Sequence, residues 1–215
     1  SHLADVSGQV DQGAAYVFIH TVSGWFQQEK LVNGVAGDYL GYSVALSDNG
    51  DNAIVGAPGS DDGTVSNIGA ARLFARSGSV WSAGVSLQPT DGAADDWFGR
   101  SVAFDADASV ALVGASLADV GKNTEQGEAY VFSRTGASWS PQAVLVDPNG
   151  VADNEFGVSV ALNDAGNVAL VGAYLDDSYT RVDQGAALVC RNSGGSWTCP
   201  SKMTPGANGD RFGVS

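Results

Sequence analysis

One six-residue pattern recurs along this chain at a nearly constant interval. It reads Leu40-Gly41-Tyr42-Ser43-Val44-Ala45, then Phe98-Gly99-Arg100-Ser101-Val102-Ala103, then Phe156-Gly157-Val158-Ser159-Val160-Ala161. It begins again at Phe212-Gly213-Val214-Ser215. The glycines stand at 41, 99, 157 and 213, so the steps are 58, 58 and 56 residues. A period of that length is the mark of one supersecondary unit repeated as a stacked or circular array. Residues that return in every unit then carry architecture, and function is sought in those that vary.

Each unit reads as four strands. In the first whole unit, strand A is Gly41 to Leu46, where large and small residues alternate with the period of a strand. Asp48-Asn49-Gly50-Asp51 makes a turn into strand B, Asn52 to Ala57. A long polar loop leads to strand C, Gly69 to Phe74, and a Ser-Gly turn leads to strand D around Trp81. Trp25, Trp81, Trp139 and Trp197 keep one phase in strand D. The chain divides into a partial unit 1–34, whole units 35–92, 93–150 and 151–206, and the start of a further unit at 207–215.

Both faces of such a sheet carry apolar or small residues, so each sheet needs cover on both sides. Radial packing of sheets as blades meets that need and leaves only short edges. The expected fold is therefore all-β, a β-propeller of four-stranded antiparallel blades, with about 3.5–4 blade equivalents in this chain. A β-solenoid fits less well, because its coils are usually shorter than this period.

Composition narrows the function. The 24 acids against 10 Lys and Arg give a net charge of −14, which repels phosphate backbones and argues against nucleic acid as partner. Most of the acids are Asp, which favours turns over helices. No apolar run reaches the ~18 residues of a membrane-spanning helix. The two cysteines, Cys190 and Cys199, flank a Ser-Gly-Gly turn on adjacent strands. They read either as a disulfide, which implies an oxidising compartment, or as two buried thiols.

Phe-Gly at the start of strand A and Gly-Ala-Pro at the end of strand B resemble the FG-GAP repeat, the blade unit of the integrin α-subunit propeller. The runs Val55-Gly56-Ala57-Pro58-Gly59-Ser60-Asp61-Asp62 and Gly69-Ala70-Ala71 are most similar to the short FG-GAP variety of secreted and surface bacterial proteins. The resemblance covers nearly the whole chain. It implies an extracellular or cell-surface binding or adhesion module without catalysis. FG-GAP repeats of the integrin type often carry a Ca²⁺ loop between strands A and B. Here the connections Ser47 to Asn52, Asp105 to Ser109 and Asn163 to Asn167 read as tight hairpin turns with too few carboxylates in phase to wrap Ca²⁺. Gly-Ala-Pro is complete only at Gly56-Ala57-Pro58; later units have Gly114-Ala115-Ser116 and Gly172-Ala173-Tyr174.

Strand direction alternates through a unit, so the B–C loops and the D–A connections share one end of the blades. Those loops hold 17 of the 24 acids and three bases, Lys122, Arg181 and Arg211. One strongly negative face is therefore expected, and the ligand, a protein or a glycan, is expected there. The candidate contact residues are Asp61, Asp62, Asp95, Asp96, Trp97, Asp119, Asp153, Tyr174, Asp176 and Asp177, with Tyr39 and Tyr179 as further aromatic candidates. The adjacent pairs Asp61-Asp62 and Asp176-Asp177 are the candidates for a cation, with Ca²⁺ the cofactor that fits oxygen ligands. The in-phase Trp residues, with Tyr16 and Tyr130, read as blade packing. The histidines, His2 and His20, offer no Ser-His-Asp order. A sugar-binding or sugar-cleaving propeller is the reading from another class, and a structural segment that drives assembly is a third.

Leu3-Ala4-Asp5-Val6 echoes Leu117-Ala118-Asp119-Val120, so the array opens inside a B–C loop and stops inside a strand A. Three arrangements follow: a fragment of a longer propeller, a homodimer in which a second chain completes the ring, or a four-bladed ring with one defective blade. An incomplete blade exposes backbone edges that invite pairing.

Overall fold

The computed structural model describes residues 1–177, 182–204 and 206–215. The candidate Tyr179 and the base Arg181 lie outside the described residues. Among the described residues, fourteen strands make three four-stranded antiparallel sheets and one two-stranded sheet, and no helix is present. The two-stranded sheet is β1 (Ala15–Thr21) and β2 (Gly24–Leu31). The next holds β3 (Val44–Leu46), β4 (Asn52–Ala57), β5 (Ala70–Ser77) and β6 (Val80–Leu87). Then come β7 (Phe98–Phe104), β8 (Val110–Ala115), β9 (Glu128–Thr135) and β10 (Ser138–Leu145). The final sheet holds β11 (Phe156–Leu162), β12 (Val168–Ala173), β13 (Ala186–Ser193) and β14 (Ser196–Met203).

Within each sheet consecutive strands pair in order, so every blade is a simple meander. Strand A is shorter than expected in the first whole blade. Only Val44, Ala45 and Leu46 enter its ladder, although the Gly41 amide still donates to the Gly56 carbonyl at 3.0 Å. In the two later blades the pairing skips between Phe98 and Ser101 and between Phe156 and Ser159. The cause is the repeat glycine, which holds φ at 95° in Gly99 and 94° in Gly157, and such a backbone leaves the extended ladder.

The core lies between blades. One face of the first whole blade (Ile54, Ala71, Leu73) packs on the facing side of the next (Val102, Val113, Phe132). The other side of that second blade (Ala103, Leu112, Val131) packs on Val171, Leu188 and Cys190 of the third. Burying one such aliphatic side chain is worth about 2 kcal/mol, so a few tens of these contacts hold the array together. Cys190 stands where the earlier blades carry Phe74 and Phe132, and it is bonded to Cys199 across β13 and β14.

Interior and exposed aromatic positions divide by blade. Trp81 is buried and its indole N–H donates to Gln28 of the preceding blade at 3.0 Å. Tyr130 is buried as well, as the packing reading requires. Trp25 and Tyr16 are exposed instead, because no sheet covers the outer face of β1 and β2.

Candidate functional site

The B–C loops and the D–A connections do meet on one side, held there by a repeated set of backbone bonds. Asp95 N donates to Ser66 O at 3.0 Å, Trp97 N to Asn67 O at 3.2 Å and Phe98 N to Ile68 O at 3.1 Å. The next joint repeats this with Asp153 N to Thr124 O, Glu155 N to Glu125 O and Phe156 N to Gln126 O, at 2.9, 3.1 and 2.8 Å. Each D–A connection is thereby stitched to the B–C loop of the blade before it. The loops form a continuous rim rather than separate tips.

The stitch requires an unusual backbone. Asp95 and Trp97 take φ of 66° and 57°, and Asp153 and Glu155 take 67° and 51°. Left-handed residues other than Gly cost free energy, least for Asp and Asn. Gly37 and Gly209 occupy the position of Asp95 in the other units.

The acids on this rim fall into three kinds. Asp61, Asp119 and Asp177 each accept the amide six residues on, from Asn67 at 2.8 Å, Glu125 at 3.0 Å and Asp183 at 2.8 Å. They close their own loops and remain exposed. Asp62, Asp95 and Asp153 face solvent, and Asp95 also accepts from the Asn67 side-chain amide at 2.7 Å. Asp96 and Asp176 point inward and are buried. Asp95 and Asp177 face solvent beside them, so the two members of each adjacent pair lie in different surroundings.

Asp176 is part of a buried network. Its carboxylate accepts from Asn154 Nδ2 and from Lys202 Nζ, both at 2.6 Å, and Lys202 also reaches Asp147 at 2.9 Å. Burial pushes the Lys202 ammonium down, but the hydrogen bonds to Asp176 and Asp147 outweigh it and raise its pKa overall. Among the described residues no group of three or more His, Cys, Asp or Glu side chains is arranged to hold a metal ion.

A second acidic cluster was not legible as a site. Glu128, Asp91 and Asp96 approach one another around Tyr130, whose hydroxyl, with one proton to give, lies within hydrogen-bonding distance of Glu128 and, at 2.9 Å, of Asp91. Burial raises the Glu128 pKa above the usual carboxylate range, partly offset by the Tyr130 hydrogen bond, with Asp91 and Asp96 pushing the same way as burial. Burial likewise raises Asp96, against the Ala93 amide that bonds it, and Asp119, Asp91 and Asp95 add to the rise. The Tyr130 phenol is pushed far up by the same burial and neighbours. The one signal in the sequence was Glu128 itself, which stands where the other units have Ala70 and Ala186.

The aromatic candidates are half-buried. Trp97 meets Tyr42 edge-on at 6.2 Å and carries the Arg100 guanidinium over its ring at 5.8 Å. Tyr174 donates to Glu155 at 3.1 Å and lies under Arg211 at 5.9 Å. Glu155 is raised first by burial, against the lowering effect of Arg100 at 3.4 Å. Each histidine rests against a ring, His2 on Tyr42 at 5.0 Å and His20 on Trp25 at 5.1 Å.

The A–B connections are tight hairpins, and three different residues close them alike. Ser47 Oγ accepts from Asn52 N, Asp105 Oδ1 from Ser109 N and Val110 N, and Asn163 Oδ1 from Asn167 N and Val168 N. These side chains are spent on the turn. Among the described residues no helix is long and apolar enough to cross a membrane.

A search of curated proteins finds no match to the chain. The sequence model described as FG-GAP repeat matches residues 25–74, 81–132 and 139–190. Each matched stretch runs from strand D of one sheet through strand C of the next, and so spans the stitched joint. Repeats of this kind are typical of extracellular binding modules and are generally non-catalytic. With three consecutive matches in register with the blades, the chain belongs to the FG-GAP repeat family.

Proposed function

We propose that this chain is a non-catalytic binding or adhesion module of an extracellular or cell-surface protein, and that it engages a protein ligand through the rim of B–C and D–A loops. One observation carries the reading. The rim is a single stitched surface on which Asp62, Asp95, Asp119, Asp153 and Asp177 remain exposed. A surface of that charge selects cationic partners and speeds their arrival. The Cys190–Cys199 bond supports an oxidising, extracellular setting.

The test is binding of the purified chain to arrays of extracellular proteins and of glycans. A triple variant, Asp62→Asn with Asp95→Asn and Asp153→Asn, is run beside it. The expected result is capture by basic proteins, weakened at least tenfold by the variant and by raising salt from about 0.05 to about 0.5 M. Protein binding that ignores both changes, or specific capture by glycans alone, overturns the reading.

A further inference from the structure

Strand D carries a Trp in every unit, and at two joints strand D of the preceding blade supplies an acceptor for its indole N–H. Trp81 Nε1 donates to Gln28 Oε1 at 3.0 Å, and Trp197 Nε1 donates to Gln142 Oε1 at 3.1 Å. Gln28 and Gln142 hold the same place in β2 and β10, three residues after Trp25 and Trp139. In β6 that place is taken by Gly84. At the joint between the first two whole blades, therefore, no Gln reaches the indole of Trp139. Among the described residues nothing accepts from it.

A second departure falls at the same joint. Arg76 lies over the Trp81 ring at 5.8 Å and is held by Asp51, whose Oδ1 accepts from Nε at 3.0 Å and from Nη2 at 2.8 Å. Arg134 lies over Trp139 in the same way, at 5.9 Å, but Ser109 stands in the place of Asp51. Arg134 reaches only two neutral acceptors, Asn52 Oδ1 at 3.3 Å and the Asp107 carbonyl at 3.4 Å, and has no carboxylate partner among the described residues. The carboxylates of Asp105 and Asp107 accept from the Ser109 amide instead. Gly84, Arg134 and Trp139 line one cavity of about 330 Å³, at the lower end of the sizes that small-molecule sites have. Leu73, Phe74, Val85 and Phe104 give it apolar walls, Phe104 stacked on Trp139 at 5.9 Å, and no acidic side chain lines it.

We propose that this cavity binds a small organic acid, whose carboxylate accepts from Trp139 Nε1 and Arg134 and whose short apolar stem lies between the two blades. The chemistry of the occupant follows from what the joint lacks. A Gln side chain brings an acceptor oxygen on a short aliphatic stem, and an Asp brings a negative charge to the Arg above the indole. One carboxylate on such a stem replaces both. Hydrogen bonds from Arg to a carboxylate are about twice as strong as those between neutral groups, so an acid is favoured over the matching amide. The single charge lining the cavity is positive, which excludes an amine. The site lies beside the C–D hairpin at Gly136 and Ala137, at the end of the blades away from the acidic rim, and is independent of any ligand there.

Nuclear magnetic resonance of the chain with isotope-labelled indoles tests it, with hexanoate as the probe and hexanamide and hexylamine as controls. The Trp139 signal is identified by its loss in Trp139→Phe. Hexanoate is expected to move that signal saturably, with a Kd on the order of 1 mM, and the amide and the amine to bind at least about tenfold more weakly. Gly84→Gln supplies the side chain that two other joints have. It should abolish the response to hexanoate and, with no acid present, move the Trp139 signal towards those of Trp81 and Trp197. Arg134→Gln removes the charge and leaves the seat open, so hexanoate should lose its advantage over hexanamide. Far-ultraviolet circular dichroism checks that both variants fold. A Trp139 signal that ignores hexanoate up to about 20 mM, an equal response to hexylamine, a response that survives Gly84→Gln, or a preference for the acid that survives Arg134→Gln each overturns the proposal.

Discussion

Ser101 Oγ donates to the Gly157 carbonyl at 2.8 Å across the joint between two blades, and the bond is buried. Ser43 makes the same bond to Gly99 and Ser159 to Gly213, also at 2.8 Å. The carbonyl in question belongs to the repeat glycine, and it sits directly over the strand B glycine of the preceding blade. A Cβ added to Gly114 would run into Gly157 O and Ser101 Oγ. The recurring Gly, Ser and second Gly are therefore one device: two backbones brought into contact, with a hydroxyl that satisfies the oxygen between them.

Ser101→Ala is expected to cost about 1 kcal/mol, the usual net worth of a hydrogen bond with some penalty for the orphaned carbonyl. Gly114→Ala is expected to cost about 3 kcal/mol or more, because neither backbone can give way without parting the blades. Chemical denaturation reads both. If the alanine at 114 proved as mild as the one at 101, close backbone approach would not be what the glycine provides.

This device shows what could be read in advance. The pattern of Gly and Ser in strand A was visible as repetition, because every joint needs the same atoms. The shape of the array and the phase of its strands followed. The fates of individual acids did not, because burial is decided across blades and not within a strand. Asp176 and Asp177 are alike as letters, yet one is held inside by Lys202, a residue 26 positions away. The same holds for the tryptophans: Trp25 and Trp81 share a phase, but only Trp81 has a covering sheet.

Lys202 serves two aspartates whose side chains are 0% and 1% exposed. Lys202→Met keeps the aliphatic stem and removes the charge. It should destabilise the fold by about 3 kcal/mol, because two buried carboxylates lose their cation. The companion variant Lys202→Met with Asp147→Asn and Asp176→Asn should recover most of that loss, since no unpaired charge stays inside. Thermal unfolding of the two variants decides it, and a triple variant no more stable than the single one would show that the network acts through packing alone.

Asp96, Glu128 and Glu155 all have folded-state pKa values raised by burial above the ordinary carboxylate value of about 4. Between the unfolded and folded pKa the folded state binds more protons, so stability falls as pH rises. The contribution is fully present below the unfolded pKa and is lost as pH rises through the folded one. The melting temperature is therefore expected to increase as pH is lowered from about 8 towards about 5. Glu128→Gln keeps an acceptor for the Tyr130 hydroxyl and removes one titrating group, so its profile should be flatter. A melting temperature that falls steadily over that range, or an unchanged slope in the variant, contradicts this account.

Asp153 combines exposure with a φ of 67°, in a position that Gly37 and Gly209 fill in other units. A left-handed Asp costs free energy that Gly does not, although Gly loses more entropy on folding. The balance predicts that Asp153→Gly stabilises the chain by about 0.5 kcal/mol. Its amide still donates to Thr124 O at 2.9 Å, so the stitch between the loops survives the change. If the rim binds a cationic ligand, the same variant should bind it less well, raising stability while lowering affinity. Titration calorimetry against whichever basic protein the array captures, set beside the melting curves, reads both quantities. A variant that is more stable and binds equally well would mean that Asp153 is only a tolerated turn residue and that the ligand contacts lie elsewhere on the rim.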